Sequence, residues 1–234
     1  MQNGIAGHVV GRCVHSTIFR TIAGAATLIA IGGLLSPLLP KSKTFIRPVA
    51  EPAKSYPAHD NHTDEKVAIA ADPYDTAQKA KIFTINFAAH GFLPVFFVVS
   101  NDGDQPVSIA NMQITLVKPD RAKLTPVASD DIYRRLVNVN PQGETRPSPI
   151  PIPQKKVKGA ITQEERDEVD SSQFAARAVE PHSSQSGFLF FDVAGISAPL
   201  AGSSIEITGV DDAKGNELMF FEIPMDNYLN PSKR

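Results

Sequence analysis

Cysteine and tryptophan are nearly absent from this chain of 234 residues, which has one cysteine and no tryptophan. Cys13 precedes an apolar N-terminal run, so the globular part of the chain carries no thiol. This part therefore has no disulfide framework, no cysteine-based zinc or blue-copper site and no cysteine nucleophile. With four tyrosines and no tryptophan, it is also poorly supplied with exposed rings for stacking on sugars or single-stranded nucleic acid.

Motifs for catalysis and nucleotide binding are missing as well. The sequence has no phosphate-binding loop, no dinucleotide fingerprint and no Gly-x-Ser-x-Gly elbow. Between residues 66 and 228, the histidines are His90, which the neighbouring Gly91 places in a turn, and His182, which follows Glu180-Pro181 in a loop. We therefore expect no enzymatic activity, no catalytic residue and no cofactor.

Two acidic residues in a predicted turn are the best candidates for metal ligands. Asp102 and Asp104 flank Gly103. Aspartate in a turn usually caps backbone groups, although several carboxylate oxygens could also bind Ca²⁺. We expect no bound metal ion; if one is bound, Asp102, Asp104 and His90 are the candidate ligands.

The overall composition is that of a globular protein. Hydrophobic residues make up 42% of the chain and charged residues 21%, and the formal net charge is -2. Because no strong positive field is present, nothing attracts the whole protein to nucleic acid, and we expect no such partner.

An uncharged apolar segment, residues 22–39, lies between basic residues: Arg12 and Arg20 before it, and Lys41, Lys43 and Arg47 after it. Its length is at the lower limit for a membrane span and at the upper limit for a signal-peptide core. A signal sequence and an uncleaved single-span anchor within residues 1–40 stay open as alternatives. Either one would place the following domain outside the cytoplasm, anchored to the membrane or free in the periplasm or medium.

Residues 41–65 are rich in proline and polar side chains, which predicts a flexible linker. His59 and His62, with Asp60 and Asp64, resemble a loose metal-binding cluster. Because a flexible linker pre-organises no geometry, we do not expect a metal site there.

The run Leu93–Asn101 predicts a strand that is buried on both faces, because Val95 to Val99 are all apolar and a turn signal follows. Such a strand requires covering layers, for which Phe188–Val193 and a hairpin over 205–223 are candidates. Alternation over residues 111–117 predicts a half-exposed strand with Met112, Ile114 and Leu116 facing inward.

Upstream, Asp72-Pro73 predicts a helix start, and residues 82–87 predict a strand with Phe83, Ile85 and Phe87 facing the core. Downstream, residues 129–136 predict a short helix with ion pairs Asp130–Arg134 and Asp131–Arg135. The arginines could bind an anion, but internal pairing is the favoured explanation.

A proline-rich insertion occupies residues 141–170 and ends in a capping box, Thr162 to Glu165, for a brief helix. Residues 187–193 predict a second strand that is apolar on both faces. Residues 205–208 and 218–223 predict a hairpin, because a turn signal separates them. The domain thus extends over residues 66–228 and is followed by a tail, residues 229–234.

The chain contains an apolar strand that ends in Ser100-Asn101, a polar approach to Gly187-Phe188-Leu189-Phe190, and a last hairpin rich in isoleucine and phenylalanine. This order resembles exported immunoglobulin-like β-sandwich domains of bacterial envelope proteins. The resemblance implies an extracytoplasmic sandwich without an enzymatic role.

The expected fold is therefore all-β: an immunoglobulin-like antiparallel β-sandwich with short helices in loops, preceded by a hydrophobic helix and a linker. The expected function is that of an interaction or structural module in the cell envelope, with a protein partner there and membrane contact through residues 22–39. The alternative is an extracytoplasmic metal- or small-ligand-binding domain that uses the turn carboxylates and His90.

Overall fold

The computed structural model describes residues 44–138 and 161–230. The predicted membrane-directed segment and most of the proline-rich insertion lie outside these ranges. None of the helices within them has the length and apolar character needed to span a membrane.

Ten strands and three α-helices form within the described ranges, together with single 3₁₀ turns at 53–55, 79–82 and 87–90. The strands are β1 His59–His62, β2 Val67–Pro73, β3 Phe92–Asn101, β4 Val107–Ser108, β5 Gln113–Val117, β6 Lys123–Leu124, β7 Ala178–Val179, β8 Ser183–Asp192, β9 Ser204–Thr208 and β10 Phe221–Pro224. The helices are α1 Ser129–Asn138, α2 Gln163–Ser172 and α3 Asp226–Leu229.

Two four-stranded antiparallel sheets carry the fold. The first has the order β1-β2-β3-β8, and the second has the order β10-β9-β5-β6. In the first sheet, β3 pairs with β8 along its whole length, from Phe92 opposite Asp192 to Asn101 opposite Ser183. The short strands β4 and β7 form a separate pair. The predicted antiparallel, mostly β architecture is confirmed.

Strand β3 is buried on both faces, as predicted, because its alternate side chains enter two different cores. Leu93, Val95, Phe97 and Val99 belong to a cluster that also contains apolar side chains of β5, β9 and β10. The other face of β3, which includes Phe96, packs in a second cluster with residues of α1, α2 and the 3₁₀ turns. One cover is thus the second sheet, and the other is largely helical.

The helical cover is built around Phe83 and Phe188. Their ring centroids lie 4.9 Å apart, and Phe83 also stacks on Phe45 at 5.4 Å. Buried Glu168 of α2 accepts hydrogen bonds from the backbone N–H groups of Thr84 and Ile85. These bonds satisfy the backbone of a segment that has no strand partner.

Two predictions for the segment before β3 were wrong. Asp72-Pro73 ends strand β2 rather than starting a helix, and residues 82–87 form no strand. Both edges of β3 are already occupied by β2 and β8, so no ladder is available for residues 82–87. Phe83, Ile85 and Phe87 are nevertheless buried, as predicted.

The prediction of a flexible linker over residues 41–65 was also wrong for its second half. Ala53 and Ala58 are fully buried, and β1 pairs with β2 from His59 opposite Ala70 to His62 opposite Val67. The Ala53 N–H donates a hydrogen bond to Ser100 Oγ at 2.8 Å. Small alanine side chains allow this close packing, which a polar composition alone does not predict.

The predicted covering layer for β3 was half right. Residues 205–223 form the antiparallel pair β9–β10 in the covering sheet. Residues 188–193 lie mostly in β8, which is the neighbour of β3 within the same sheet. The capping box at Thr162 and Glu165 is confirmed at the start of α2.

Substitution Gly187→Ala tests the close approach at the outer edge of β8. A Cβ atom at Gly187 would lie 2.5 Å from Phe174 Cα and 2.6 Å from Phe174 N. Because backbone atoms cannot yield as a flexible side chain does, we expect a loss of about 2–3 kcal/mol in the free energy of unfolding, measured by urea denaturation.

The matched control is Gly215→Ala, where nothing lies within 4 Å of the added Cβ but φ is +82°. Left-handed backbone strain alone costs about 1 kcal/mol there. A loss for Gly187→Ala no larger than for Gly215→Ala would contradict the steric explanation.

Candidate functional site

The three candidate metal ligands do not meet. His90 precedes the start of β3, whereas Asp102 and Asp104 follow its end. The ten residues of β3 span roughly 30 Å at the rise of an extended strand. No metal ion can therefore be bound by His90 together with the turn acids.

Each turn acid has an ordinary surface partner instead. Asp102 pairs with Lys54 at 2.9 Å, and Asp104 lies 3.1 Å from His182 Nε2 and 3.6 Å from Lys66 Nζ. Within residues 44–138 and 161–230, no three His, Cys, Asp or Glu side chains are grouped so that they could hold a metal ion.

His90 ends a 3₁₀ turn, and Gly91 follows it with a φ of +78°, so the predicted turn is confirmed. Its Nδ1 atom is buried and has no hydrogen-bond partner. Its carbonyl oxygen lies 3.5 Å from Arg135 Nη1.

A histidine between two carboxylates lies where the two sheets meet at β1 and β10. The Nδ1 atom of His62 is 2.6 Å from Glu65 Oε2, and its Nε2 atom is 3.3 Å from Asp60 Oδ2. The imidazole ring stacks on Phe221 of β10, with centroids 3.8 Å apart and an interplanar angle of 14°. A neutral imidazole can donate to one of the two carboxylates, and an imidazolium can donate to both.

Both carboxylates also accept hydrogen bonds from the β10 segment. Glu222 N–H donates to Asp60 at 2.9 Å, and Met219 N–H donates to Glu65 at 3.2 Å. These donors lie along the edge of the second sheet, where unpaired N–H groups would otherwise invite a further strand. Asp60 of β1 and Glu65 of the following turn therefore join the two sheets and close part of this edge.

Two large apolar side chains remain exposed beside this cluster. Met219 is 69% exposed and Phe220 is 55% exposed. Met219 and Glu65 also line a shallow depression together with His62, Thr63 and Asp64. We call this region, formed by residues 60–65 and 219–222, the β1–β10 surface. It combines apolar side chains with an acidic rim.

Some residues of this surface could be recognised from the sequence. His59 and His62 with Asp60 and Asp64 stand out in the sequence as a loose cluster, but the proline-rich and polar composition predicts a linker that would not position them. Glu65 and Phe221 complete the cluster, and 155 intervening residues separate them. Only the pairing of β1 with β2 brings His62 to the ring of Phe221.

The predicted ion pairs within α1 were wrong. Arg134 pairs with Asp131 rather than Asp130, and Arg135 reaches across to Asp192 at the end of β8. Arg135 forms a two-pronged contact there, with Nη1 2.7 Å from Asp192 Oδ1 and Nη2 bonded to Oδ2. Its guanidinium also lies over the ring of Phe92, 4.6 Å from the centroid.

This contact shifts the acid–base equilibrium of both groups. Hydrogen bonding to Arg135 is the main cause that lowers the pKa of Asp192 below its ordinary value of 3.8. The same pairing raises the pKa of Arg135. The pair therefore stays ionised at neutral pH and holds α1 against the end of the first sheet.

No known protein family, curated protein or solved structure matches this chain. The class of protein is therefore described by its architecture. The described chain is an antiparallel β protein with two four-stranded sheets and a largely helical layer over one of them.

Substitution His62→Ala tests the role of the histidine cluster. It removes a stacked ring and the imidazole partner of two partly buried carboxylates, which keep only their backbone donors, so we expect a loss of about 2 kcal/mol in the free energy of unfolding. His182→Ala is the matched control, because its pair with Asp104 is exposed, and we expect a change within about 0.5 kcal/mol. Equal losses in urea denaturation would contradict the structural role of His62.

Substitution Arg135→Gln tests the pair with Asp192 through its pH dependence. A carboxyl group with a lowered pKa stabilises the folded state above its unfolded pKa, and this contribution is lost as the pH falls through the folded pKa. We expect the variant to be about 1 kcal/mol less stable than the unmodified protein at pH 6, measured by urea denaturation. The difference should shrink as the pH falls below 3.8, the ordinary value for Asp192.

Arg134→Gln serves as the control for this experiment, because the Arg134 side chain is 73% exposed. The free energy of unfolding of Arg134→Gln should equal that of the unmodified protein at pH 6 and at pH 3. A difference for Arg135→Gln that is the same at pH 6 and pH 3 would contradict the assignment.

Proposed function

We propose that this protein is an interaction module of the cell envelope, built as an immunoglobulin-like sandwich and held there by export or by a membrane anchor. The observation that carries the proposal is the exposure of two adjacent large apolar residues, Met219 and Phe220, beside an acidic rim. Exposed apolar groups that are rimmed by polar residues mark sites of protein association.

The charge of the rim indicates the chemistry of the partner. Asp64, Glu65 and Glu222 lie on or next to the β1–β10 surface. An apolar segment that carries lysine or arginine side chains would match both the apolar groups and this charge. The partner is accordingly a basic and partly apolar segment of another envelope protein.

One feature of the sequence supports the location, and one feature of the structure supports the type of sandwich. Residues 22–39 are uncharged and apolar and have basic residues on both sides, as in signal sequences and single-span anchors. The side chains of both sheets meet in one core, which is the packing that a sandwich requires.

Photocrosslinking in intact cells tests the interaction. A photoreactive phenylalanine at Phe220 of the full-length chain should give one adduct of defined mass, identified by mass spectrometry. The same group at Val137, an exposed apolar residue on α1, is the control and should not give that adduct. Asp64→Lys should reduce the adduct at position 220 severalfold, because it reverses a charge on the rim.

An equal adduct from both positions, or no adduct from position 220, would contradict the proposed surface. Export is tested separately with alkaline phosphatase fused after Arg234, because this enzyme is active only outside the cytoplasm. We expect activity from the full chain and its loss in a Leu28→Arg, Leu35→Arg variant. Activity that is absent from the unmodified fusion would remove the envelope assignment.

A further inference from the structure

A second feature, distant in the fold from β1 and β10, is a cleft between α1 and the segment that connects the two sheets. Residues 123–128 leave β6 at the edge of the second sheet and reach β8 of the first, where Val127 N–H donates to the Phe190 carbonyl at 2.7 Å. The cleft lies beside this crossing and has a volume of about 840 Å³. Pockets for small organic ligands have about this size.

The lining of the cleft includes the ion pair Arg135–Asp192. Asp192 also accepts a hydrogen bond from Ala194 N–H at 3.1 Å, and Arg135 is held over Phe92. Both charges are thus engaged by partners within the protein. A ligand that enters the cleft meets a positioned and neutralised ion pair rather than a free carboxylate.

Two further cations in the lining are held more loosely. Lys123 Nζ lies 3.8 Å from Glu206, with the lysine side chain 65% exposed, and the pair Arg134–Asp131 is exposed on the surface of α1. Exposed pairs of this kind contribute little to stability and exchange readily with other partners. The lining has three cationic and two acidic side chains, and Glu206, outside the lining, lies beside the third cation, Lys123.

The remaining wall is apolar. Leu124, Pro126 and Val127 line the cleft together with Thr125 and Ala128. Proline at position 126 contributes a rigid ring and no N–H donor, so this wall offers few hydrogen bonds to an uncharged polar ligand. An apolar wall with a few converging polar groups is typical of sites for organic molecules.

We propose that this cleft binds a small organic carboxylate, with the carboxylate between Lys123 and Arg134 and the apolar body against Leu124, Pro126 and Val127. Lysine and arginine form charge-assisted hydrogen bonds to the carboxylate, and burial of the apolar body adds to the affinity. The site is independent of the β1–β10 surface.

The experiment is a chemical-shift titration of the full-length chain, in detergent if the chain is anchored, with 4-phenylbutyrate as the probe. Phenylbutanol is the neutral counterpart of the same shape. We expect saturable shifts in residues 123–128 and 134–135 with the acid and at least fivefold weaker binding of the alcohol. Higher salt should weaken binding of the acid, because the two cations are exposed.

The double variant Lys123→Gln, Arg134→Gln should bind the acid at least fivefold more weakly. Its control, Lys118→Gln with Lys214→Gln, removes the same charge from positions outside the cleft lining and should bind as the unmodified protein does. Circular dichroism establishes that both variants are folded. No saturable binding, equal binding of the alcohol, or equal affinity of the two double variants would each overturn the proposal.

Discussion

The burial of β3 on both faces is the constraint on which the rest of the structure depends. A strand of valine and phenylalanine gains about 1.5–3 kcal/mol for each side chain that is fully buried, but only if each face has its own cover. The second sheet supplies one cover through β5, β9 and β10. Helices α1 and α2 and the 3₁₀ turns supply the other. The second sheet and the helical cover therefore pack on opposite faces of β3 rather than on each other.

The helical cover creates a second requirement, because irregular backbone next to a sheet has no ladder to satisfy it. Buried polar side chains meet this need. Glu168 accepts from the backbone of Thr84 and Ile85. Asn101 donates to the Gln105 carbonyl at 2.7 Å and to the Val179 carbonyl at 3.1 Å, and Ser100 accepts from Ala53 N–H. Glu168 thus connects α2 to the segment before β3, and Ser100 and Asn101 connect β3 itself to neighbouring backbone.

The sheet edges are closed by comparable means, and this bears on function. At the outer edge of β8, Arg47 donates to the Ser186 carbonyl at 3.0 Å, and Phe174 and Val127 donate to the carbonyls of Phe188 and Phe190. At β10, the carboxylates of Asp60 and Glu65 accept hydrogen bonds from N–H groups of the edge. The side chains of Met219 and Phe220 stay exposed beside these bonds. The proposed interaction surface thus lies beside the closed part of the β10 edge, where large apolar side chains are exposed.

Much of the strand content followed from the sequence alone. Local patterns identified β3, β5, β8, the pair β9–β10 and the capping box of α2, because hydrophobic alternation and turn chemistry are local properties of the chain. The same local patterns misassigned residues 72–75 and 82–87. Alternation at 82–87 correctly indicated which side chains are buried, but not that the neighbouring ladder positions were already occupied.

The sites depended on tertiary structure. The sequence determined an antiparallel β domain without thiols or catalytic motifs, preceded by an apolar segment. Only the fold decided that His62 stacks on Phe221, that Arg135 pairs with Asp192 instead of its helical neighbour, and that His90 and Asp102 lie at opposite ends of β3. The physical reason is that these contacts join residues far apart in the chain, and the register of the strands sets which of them meet.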